Sequence, residues 1–445
     1  MSKATERLST EEVARRLGVK RETVYAYVSR GLLERHPASG PHDSRFDPAE
    51  VERLAARARR PNRSSALEVV VETELTLLEP AGRLSYRGRD AVELARYRSF
   101  EEVVALLWEG APPTPWRLEG KGAEAVAGLG TVLGPRTPDA ERIVAVVATL
   151  AARDLARDDR DPESVRRAGT EVFAAILAAL RSRAGAGDEG AEPSVAPEDG
   201  VAARLWRALA VGDQKPRPDQ VAALNAALVL LADHELAAST FTARIAASAW
   251  AGPYRVILAG LGPLGGSLHG GAGAAVEAML DDVAAGADPG AVLDARLAEG
   301  PVPGFGHRVY RDRDPRADHL LARLALDRGR PALAIGSQRS TALRRGLRRS
   351  TAAEAPWVAA GALLDAAAER RLPAPNVDFA LAALAKAHGL RDGSAPTIFT
   401  IARIAGIVAH ALEEYEHRLR FRPRASYIGP TPPGSPLRAP RRPAR

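Results

Sequence analysis

The sequence predicts a mainly helical protein with more than one domain. Apolar residues make up 46% of the chain but are mostly Ala, Leu and Val, with only 5% aromatics. Alanine-rich runs with few β-branched stretches favour helix over sheet. From Leu67 onward, apolar residues recur at helical spacing in one segment after another. At 445 residues the chain is long enough for two or three domains and a large core.

Several function classes fall away at once. There are no cysteines, which excludes disulfides, thiolate metal sites and cysteine nucleophiles. The start, MSKATERLSTEE, is charged and has no apolar stretch of signal-peptide type. No run of about 18 uncharged apolar residues appears, so no membrane span or membrane partner is expected, and a soluble cytoplasmic protein is. The net charge of +7 divides unevenly. Residues 1–63 carry +5 and residues 418–445 carry +8 from arginines alone, which leaves 64–417 at −6. Basic ends flank a mildly acidic middle, so nucleic-acid binding by the whole protein is not implied.

Residues 1–60 read as a compact unit. Ser9 and Thr10 precede EEVARRL, an N-cap followed by acids in the first turn. Gly18 breaks the pattern and TVYAYVSRGLL opens a second helix, with Val13, Leu17, Val24 and Val28 as the shared apolar seam. HPASGPHDSRF is turn-rich and reads as a small wing ending at Phe46, after which Asp47-Pro48 starts a third helix. STEEVARRLGV, ETVYAYVSRGLL and SRFDPAEVERL together resemble the winged helix-turn-helix of excisionases and MerR-type regulators. That resemblance implies a helix from Arg21 to Arg30 in the major groove. Arg21, Tyr25 and Arg30 would meet bases or phosphates, with Arg45 in the wing. A small helical domain used for packing or subunit contact is the alternative, and both stay open here. One +5 module binds DNA weakly by itself; a dimer does better.

Residues 61–66 read as a linker. VVVETELTLLEPAGRLSYRGRD then has a β-like start, a turn at Glu79-Pro80-Ala81-Gly82, and a second short strand or turn. Helices are expected around 100–110, 138–154, 162–182, 201–210, 218–232 and 236–249. Residues 183–200, rich in Gly, Ala, Glu and Pro, are expected to be a mobile insertion. The tail has seven prolines among its last twenty-four residues, which argues against helix there; residues 431–445 form a basic Pro/Arg-rich end.

Three segments carry chemistry. In GPLGGSLHGGAGAAVEAML, glycines around His269 let backbone approach a ligand. A helix starting near Ala274 would aim its amides at a neutral imidazole able to donate a hydrogen bond. In PVPGFGHRVYRDRDPRA, prolines and glycines frame His307, beside a run of arginines that favours its neutral form. Arg316, just past Asp314-Pro315, is placed to fork onto a carboxylate. In PAPNVDFALAAL, Asp378 is either a helix N-cap or a general base held dry between Val377 and Phe379. The pattern alone leaves those two open. An anionic substrate follows from the arginines.

From about Val69 to Gly429 the chain resembles a citrate synthase. The matching stretches are ETELTLLEPAGRLSYRGRDAVELA, SFEEVVALLWEG, ADHELAASTFTARIAAS, LGGSLHGGAGAAVEAM, PVPGFGHRVYRDRDPRA, PNVDFALAAL, FTIARIAGIVAHALEE and RPRASYIG, in family order. The resemblance implies a nearly all-helical fold, with a large domain of 67–268 and 386–430 and a small domain of 269–385. A homodimer is its smallest active unit, with hexamer assembly left open.

The resemblance also implies roles. Asp378 removes a methyl proton from acetyl-CoA, His269 stabilises the enol or enolate, and His307 polarises the ketone of oxaloacetate. His234, Arg316 and Arg403 bind oxaloacetate, and Arg422 reaches the partner's site. Val302, Gly304, Phe305 and Gly306 lie near CoA through backbone contacts. Citryl-CoA is hydrolysed to citrate and CoA, with no metal and no permanently bound cofactor. Two positions depart from the family pattern: Gly273, where many relatives carry Asn, and Ala380, where Tyr is frequent. Both are expected to open space near the site and relax selectivity towards propionyl-CoA, the methylcitrate reaction. A metabolite sensor that binds DNA on a synthase scaffold is the reading from another class.

Overall fold

The computed structural model describes residues 7–17, 24–25, 27–28, 33, 35–37, 44–48, 51, 70–110, 116, 118, 120–183, 200–212, 214–266, 270–327 and 355–423. The expectations for Arg21, Arg30, His269, the linker at 61–66, nearly all of 183–200 and the tail at 431–445 lie outside these residues. The chain forms two compact units, Met1–Glu72 and Thr73–Arg445.

In the first unit, strand β1 (Leu8–Ser9) leads directly into helix α1 (Thr10–Leu17). Ser9 caps it reciprocally: Glu12 N–H donates to Ser9 Oγ at 3.3 Å, and Ser9 N–H donates to Glu12 Oε2 at 2.7 Å. The predicted wing is present as β2 (His36–Pro37) and β3 (Ser44–Phe46), in a three-stranded antiparallel sheet ordered β1-β3-β2. Val13, Val24, Leu33, Phe46 and Val51 form its buried core, with Val28 partly buried against it. The side chain of Leu17 is outside the description.

The second unit opens with a small antiparallel sheet, β4 (Thr76–Glu79), β5 (Arg83–Tyr86) and β6 (Arg89–Asp90). Its tight turn closes by Gly82 N–H donating to Glu79 O, with Gly82 at φ +93°. Helices follow without further strands among the described residues. They are α2 (Ala91–Tyr97), α3 (Phe100–Leu107), α4 (Gly120–Val132), α5 (Asp139–Arg153), α6 (Pro162–Arg183), α7 (Val201–Leu209), α8 (Pro218–Leu231) and α9 (Ala238–Ser248). Then come α10 (Pro253–Leu264), α11 (Ala272–Ala284), α12 (Pro289–Glu299), α13 (Pro315–Asp327), α14 (Ala355–Glu369), α15 (Val377–Ala387) and α16 (Ser394–His417).

Starts are marked as the chemistry of free N–H groups requires. Asp90 caps α2, Ser99 and Glu102 box α3, and α8, α10, α12 and α13 each begin with proline, which has no N–H to leave unsatisfied.

The six expected helices are all present. Helices α4, α10, α12, α14 and α16 had no individual expectation, and in α4 and α10 glycines interrupt the apolar period. In α10 the glycine is a packing device: a Cβ on Gly260 would stand 2.6 Å from Ile407 of α16. Helix α16 is the axis of the unit, with α8, α9, α10 and α15 packed on it. It is long and apolar enough to cross a membrane, with a mean hydropathy of 1.5, yet 89% of its apolar window is buried inside the protein. Burial on all sides explains that apolarity without a bilayer.

Candidate active site

Four elements converge here. Helices α13 and α15 pack on each other, α15 packs on α16, and α8 ends beside α16. Arg316 lies in the first turn of α13, Asp378 in the first turn of α15, and Arg403 in the middle of α16. His234 follows the end of α8, and His307 lies in the loop before α13. These five predicted residues are thus brought together. Ser267, Leu268 and His269 lie outside the described residues, three to five positions ahead of α11.

Asp378 is not the N-cap of α15. Asn376 takes that role, its Oδ1 accepting from Asp378 N–H at 3.0 Å and Phe379 N–H at 3.4 Å. Its amide nitrogen donates back to Gly306 O at 2.9 Å. The Asp378 carboxylate is left with no hydrogen-bond partner among the described residues. Burial pushes it up to about 6, against the pull of Arg316 and Arg403 and with Asp314 adding to the push. It is poised to accept a proton near neutral pH.

His307 has a defined tautomer. Its Nδ1 receives two backbone N–H donors, Val309 at 3.0 Å and Tyr310 at 3.2 Å. The ring hydrogen therefore sits on Nε2. Burial, with the Arg316 guanidinium beside it, holds the imidazole down to about 4, so it is neutral at physiological pH. Nε2 stands 3.3 Å from Arg316 Nη2, donor facing donor. An acceptor oxygen placed against both would satisfy the pair.

Arg316 is fixed by Asp314, which the sequence reading did not single out. Nε and Nη2 fork onto the two carboxylate oxygens at 2.9 and 2.8 Å, and Asp314 Oδ2 also accepts from Val377 N–H at 3.0 Å. One buried carboxylate thus ties the His307 loop, Arg316 and the start of α15 together. Arg316 keeps Asp314 ionised, below the usual carboxylate range, despite its burial. Tyr310 was also missed; its hydroxyl lies 3.2 Å from His234 Nε2, and the His234 and His307 rings meet edge to face at 5.2 Å.

Arg403 differs. It is 1% exposed, and its Nε donates to Leu231 O at 3.1 Å. Both terminal nitrogens, Nη1 and Nη2, are buried without a hydrogen-bond partner among the described residues. A buried guanidinium with its fork open is costly unless an anion fills it.

The PVPGFG loop lies against the same helices. Val302 is buried, and a Cβ on Gly304 would come within 2.7 Å of Val276 and 3.1 Å of Phe379. Gly304 and Gly306 have φ of +84° and +77°. Phe305 bridges to Pro375 and its ring lies 5.3 Å from that of Phe379. Packing takes up these positions, and much of the backbone is bonded as well: Gly306 N–H donates to Ala374 O at 2.8 Å, and Gly304 O accepts from Asn376 N–H at 2.9 Å.

Arg422 is exposed. In the first unit, Tyr25 is exposed and Arg45 is partly buried on β3. The expectation that Gly273 and Ala380 open the site meets a different geometry. Ala380 is fully buried, two positions from Asp378 and hence about 200° around the helix. Gly273 is buried against Ala395 and Pro396. Ala380 therefore belongs to the packed back of α15.

Comparison with known proteins gives this helical site a class. Residues 66–424 match the family model "Citrate synthase, C-terminal domain", and residues 7–59 match "Helix-turn-helix domain". Citrate synthase 2 of Bacillus subtilis is 33% identical over 363 residues, covering 78% of this chain and 90% of the relative. The 2-methylcitrate synthase of Mycobacterium tuberculosis is 30% identical over 375 residues, covering 81% and 88%. The structure of citrate synthase from Pyrobaculum aerophilum superposes with a TM-score of 0.61 at 26% identity, over 81% of this chain and 91% of that one. The citrate synthase of Thermoplasma acidophilum, solved in a ternary complex with carboxymethyl coenzyme A and oxaloacetate, gives 0.63 at 24% identity and shares the fold, over 82% and 95%. The chain belongs to the citrate synthase family and carries an N-terminal helix-turn-helix domain. It is an enzyme of that family.

Proposed function

We propose that the helical unit condenses acetyl-CoA with oxaloacetate and water to give citrate and CoA. The open fork of buried Arg403, facing the same region as Arg316 and the Nε2–H of His307, carries this reading: it calls for a small acid with an electrophilic carbonyl. Arg403, Arg316 and His234 hold the carboxylates of oxaloacetate, and His307 donates from Nε2 to its ketone oxygen. Asp378 takes a proton from the thioester methyl group, with His269 hydrogen-bonded to the enol oxygen. The enol carbon bonds to the ketone carbon, and water then cleaves the citryl thioester to free CoA. A thioester α-proton is very weakly acidic, so base and enol stabiliser must act together.

The lobe at 269–385 closes on the rest of the unit in this reading, and the PVPGFG loop meets CoA through its backbone. Arg422 completes the site of a second copy in a homodimer. The front domain contacts DNA through Arg21, Tyr25, Arg30 and Arg45, which its match to a helix-turn-helix model favours. Propionyl-CoA is the alternative acyl donor, favoured by the methylcitrate synthase relative.

Thiol release measured with acetyl-CoA or propionyl-CoA and oxaloacetate tests the reading directly. The protein has no cysteines, so every thiol detected comes from CoA. Turnover with acetyl-CoA above that with propionyl-CoA is expected. No thiol from either, with the protein folded and dimeric, removes the proposal.

A further inference from the structure

Behind the site runs a chain of buried polar groups that the condensation does not use. Asp233, His410, Arg244 and Glu414 are each at most 1% exposed, and Glu413 lies beside them. Asp233 Oδ2 accepts from Thr76 Oγ1 at 2.6 Å and from Glu235 N–H at 3.0 Å, and it stands 3.3 Å from His410 Nε2. The far side of His410 fixes the direction of that last bond. Its Nδ1 lies 3.1 Å from Arg244 Nη1, and a guanidinium only donates. Nδ1 therefore accepts, and the ring hydrogen on Nε2 is given to Asp233. Arg244 is held in turn by Nε donating to Glu414 Oε2 at 2.8 Å and by Glu413 on Nη1. Glu413 also accepts from Thr73 Oγ1 at 2.9 Å and Glu74 N–H at 2.8 Å.

This chain ends on the backbone that presents His234. The Glu235 N–H to Asp233 bond closes a tight turn across residues 233–235, and Glu235 sits at φ +55°, a conformation that non-glycine residues adopt only when held there. His234 is the residue between. The backbone of α16 walls the turn from behind: Gly406 N–H donates to Ala232 O at 2.9 Å, and a Cβ on Gly406 would collide with Asp233 Oδ1.

We propose that Asp233 and His410 are positioning residues for the keto acid, locking the strained 233–235 turn so that His234 faces the pocket. This rests on the oxaloacetate reading above and adds residues that touch neither substrate. Loosening the chain weakens capture of the keto acid before it affects the thioester.

Steady-state kinetics of the full chain, with both substrates varied, test this in three variants. His410→Leu is expected to raise KM for oxaloacetate roughly tenfold, in line with one lost bond to a charged group. KM for acetyl-CoA stays within roughly twofold. His410→Gln, whose side-chain N–H reaches along the same path, restores most of the loss. Thr76→Val keeps the shape of the side chain, removes one donor to Asp233, and shifts the same KM in the same direction by less. Unchanged KM for oxaloacetate in both His410→Leu and Thr76→Val overturns the proposal. So does an equal drop in active fraction for the Leu and Gln variants with KM unmoved, which marks a merely structural role. If His410→Leu does not fold, Thr76→Val decides alone. Absence of turnover in the unaltered protein counts against the functional reading instead. Oxaloacetate titrated calorimetrically into the unaltered protein and Thr76→Val then decides on positioning: equal affinity, or no binding to either, ends it.

Discussion

Arg244 and Arg403 are both sealed inside the helical unit, yet the protein treats their charges in opposite ways. Around Arg244 it supplies two carboxylates, Glu413 and Glu414, with Nε2 and Nδ1 of His410 completing the line to Asp233. Around Arg403 it supplies one backbone carbonyl, the face of Phe399 at 5.0 Å and the more distant charge of Asp233, and among the described residues it leaves two nitrogens without a hydrogen bond. Two buried cations of similar exposure thus mark two kinds of region. Where counter-charge comes from the chain, the cation is part of the fold. Where hydrogen-bonding counter-charge is missing, the fold bears the cost of a cation that the proposed keto acid would neutralise.

Substitution by leucine at the two sites breaks or upholds that contrast. Arg244→Leu strands Glu414 without its partner in a fully buried place, and a loss of about 3–5 kcal/mol of stability is expected, read from denaturant unfolding. Arg403→Leu removes a charge that hydrogen-bonds to no carboxylate among the described residues, although Asp233 and Asp378 lie in its field. Its melting temperature is expected to hold or rise, while KM for oxaloacetate rises by ~100-fold, the cost of one missing charged contact in a dry site. Equal destabilisation by both would make Arg403 a structural residue.

The same contrast explains what the sequence could and could not reveal. His307, Arg316 and Asp378 stood in short segments whose glycines and prolines advertised irregular backbone, and the structure assembles them. His234 and Arg403 were reachable only through resemblance, since a histidine after ALVLLAD and an arginine in an apolar helix carry no local mark. Asn376 and Asp378 both offer a cap in PNVD, and only the point at which helical geometry begins, Val377, chooses between them. Asp314 hid in the alternating charges of RDRDPRA, where burial cannot be read from composition. His410 was invisible for another reason. Its partners Arg244 and Asp233 lie 166 and 177 residues away, so no local pattern links them.

Asp378 makes the pocket's cost measurable. Its carboxyl is raised to about 6 in the fold, from 3.8 as the ordinary value. Below about pH 4 the group is protonated folded or unfolded and contributes nothing to the balance. Above about 6 it is ionised in both states, and the folded state carries the penalty of roughly 2–3 kcal/mol that two pKa units represent. Asp378→Asn is therefore expected to stabilise the protein at pH 8 by about that amount, with the gain fading between pH 6 and 4. The substitution also removes the proposed base, so stability and turnover should move in opposite directions. In the unaltered protein, kcat/KM should fall as pH drops through about 6, while His307 remains neutral until about 4. A flat stability difference across this range would mean that Asp378 is not desolvated as the pocket requires.

The smallest effect is expected three residues before Arg316. Arg313 belongs to the same RDRDPRA run and also forks onto a carboxylate, with Nη2 donating to Asp318 at 2.6 Å and Nε at 2.9 Å. That pair is in water: the Arg313 side chain is 60% exposed and Asp318 36%. Exposed pairs of good geometry contribute about 0–1 kcal/mol, because solvent and salt screen them and two long side chains lose freedom. Arg313→Ala should lower stability by under about 1 kcal/mol, less so in high salt, and leave both KM values unchanged. A marked rise in KM for oxaloacetate in this variant would extend the anion site onto the surface. The division between cations that the fold neutralises and cations that it reserves for substrate would then have to be drawn elsewhere in the loop.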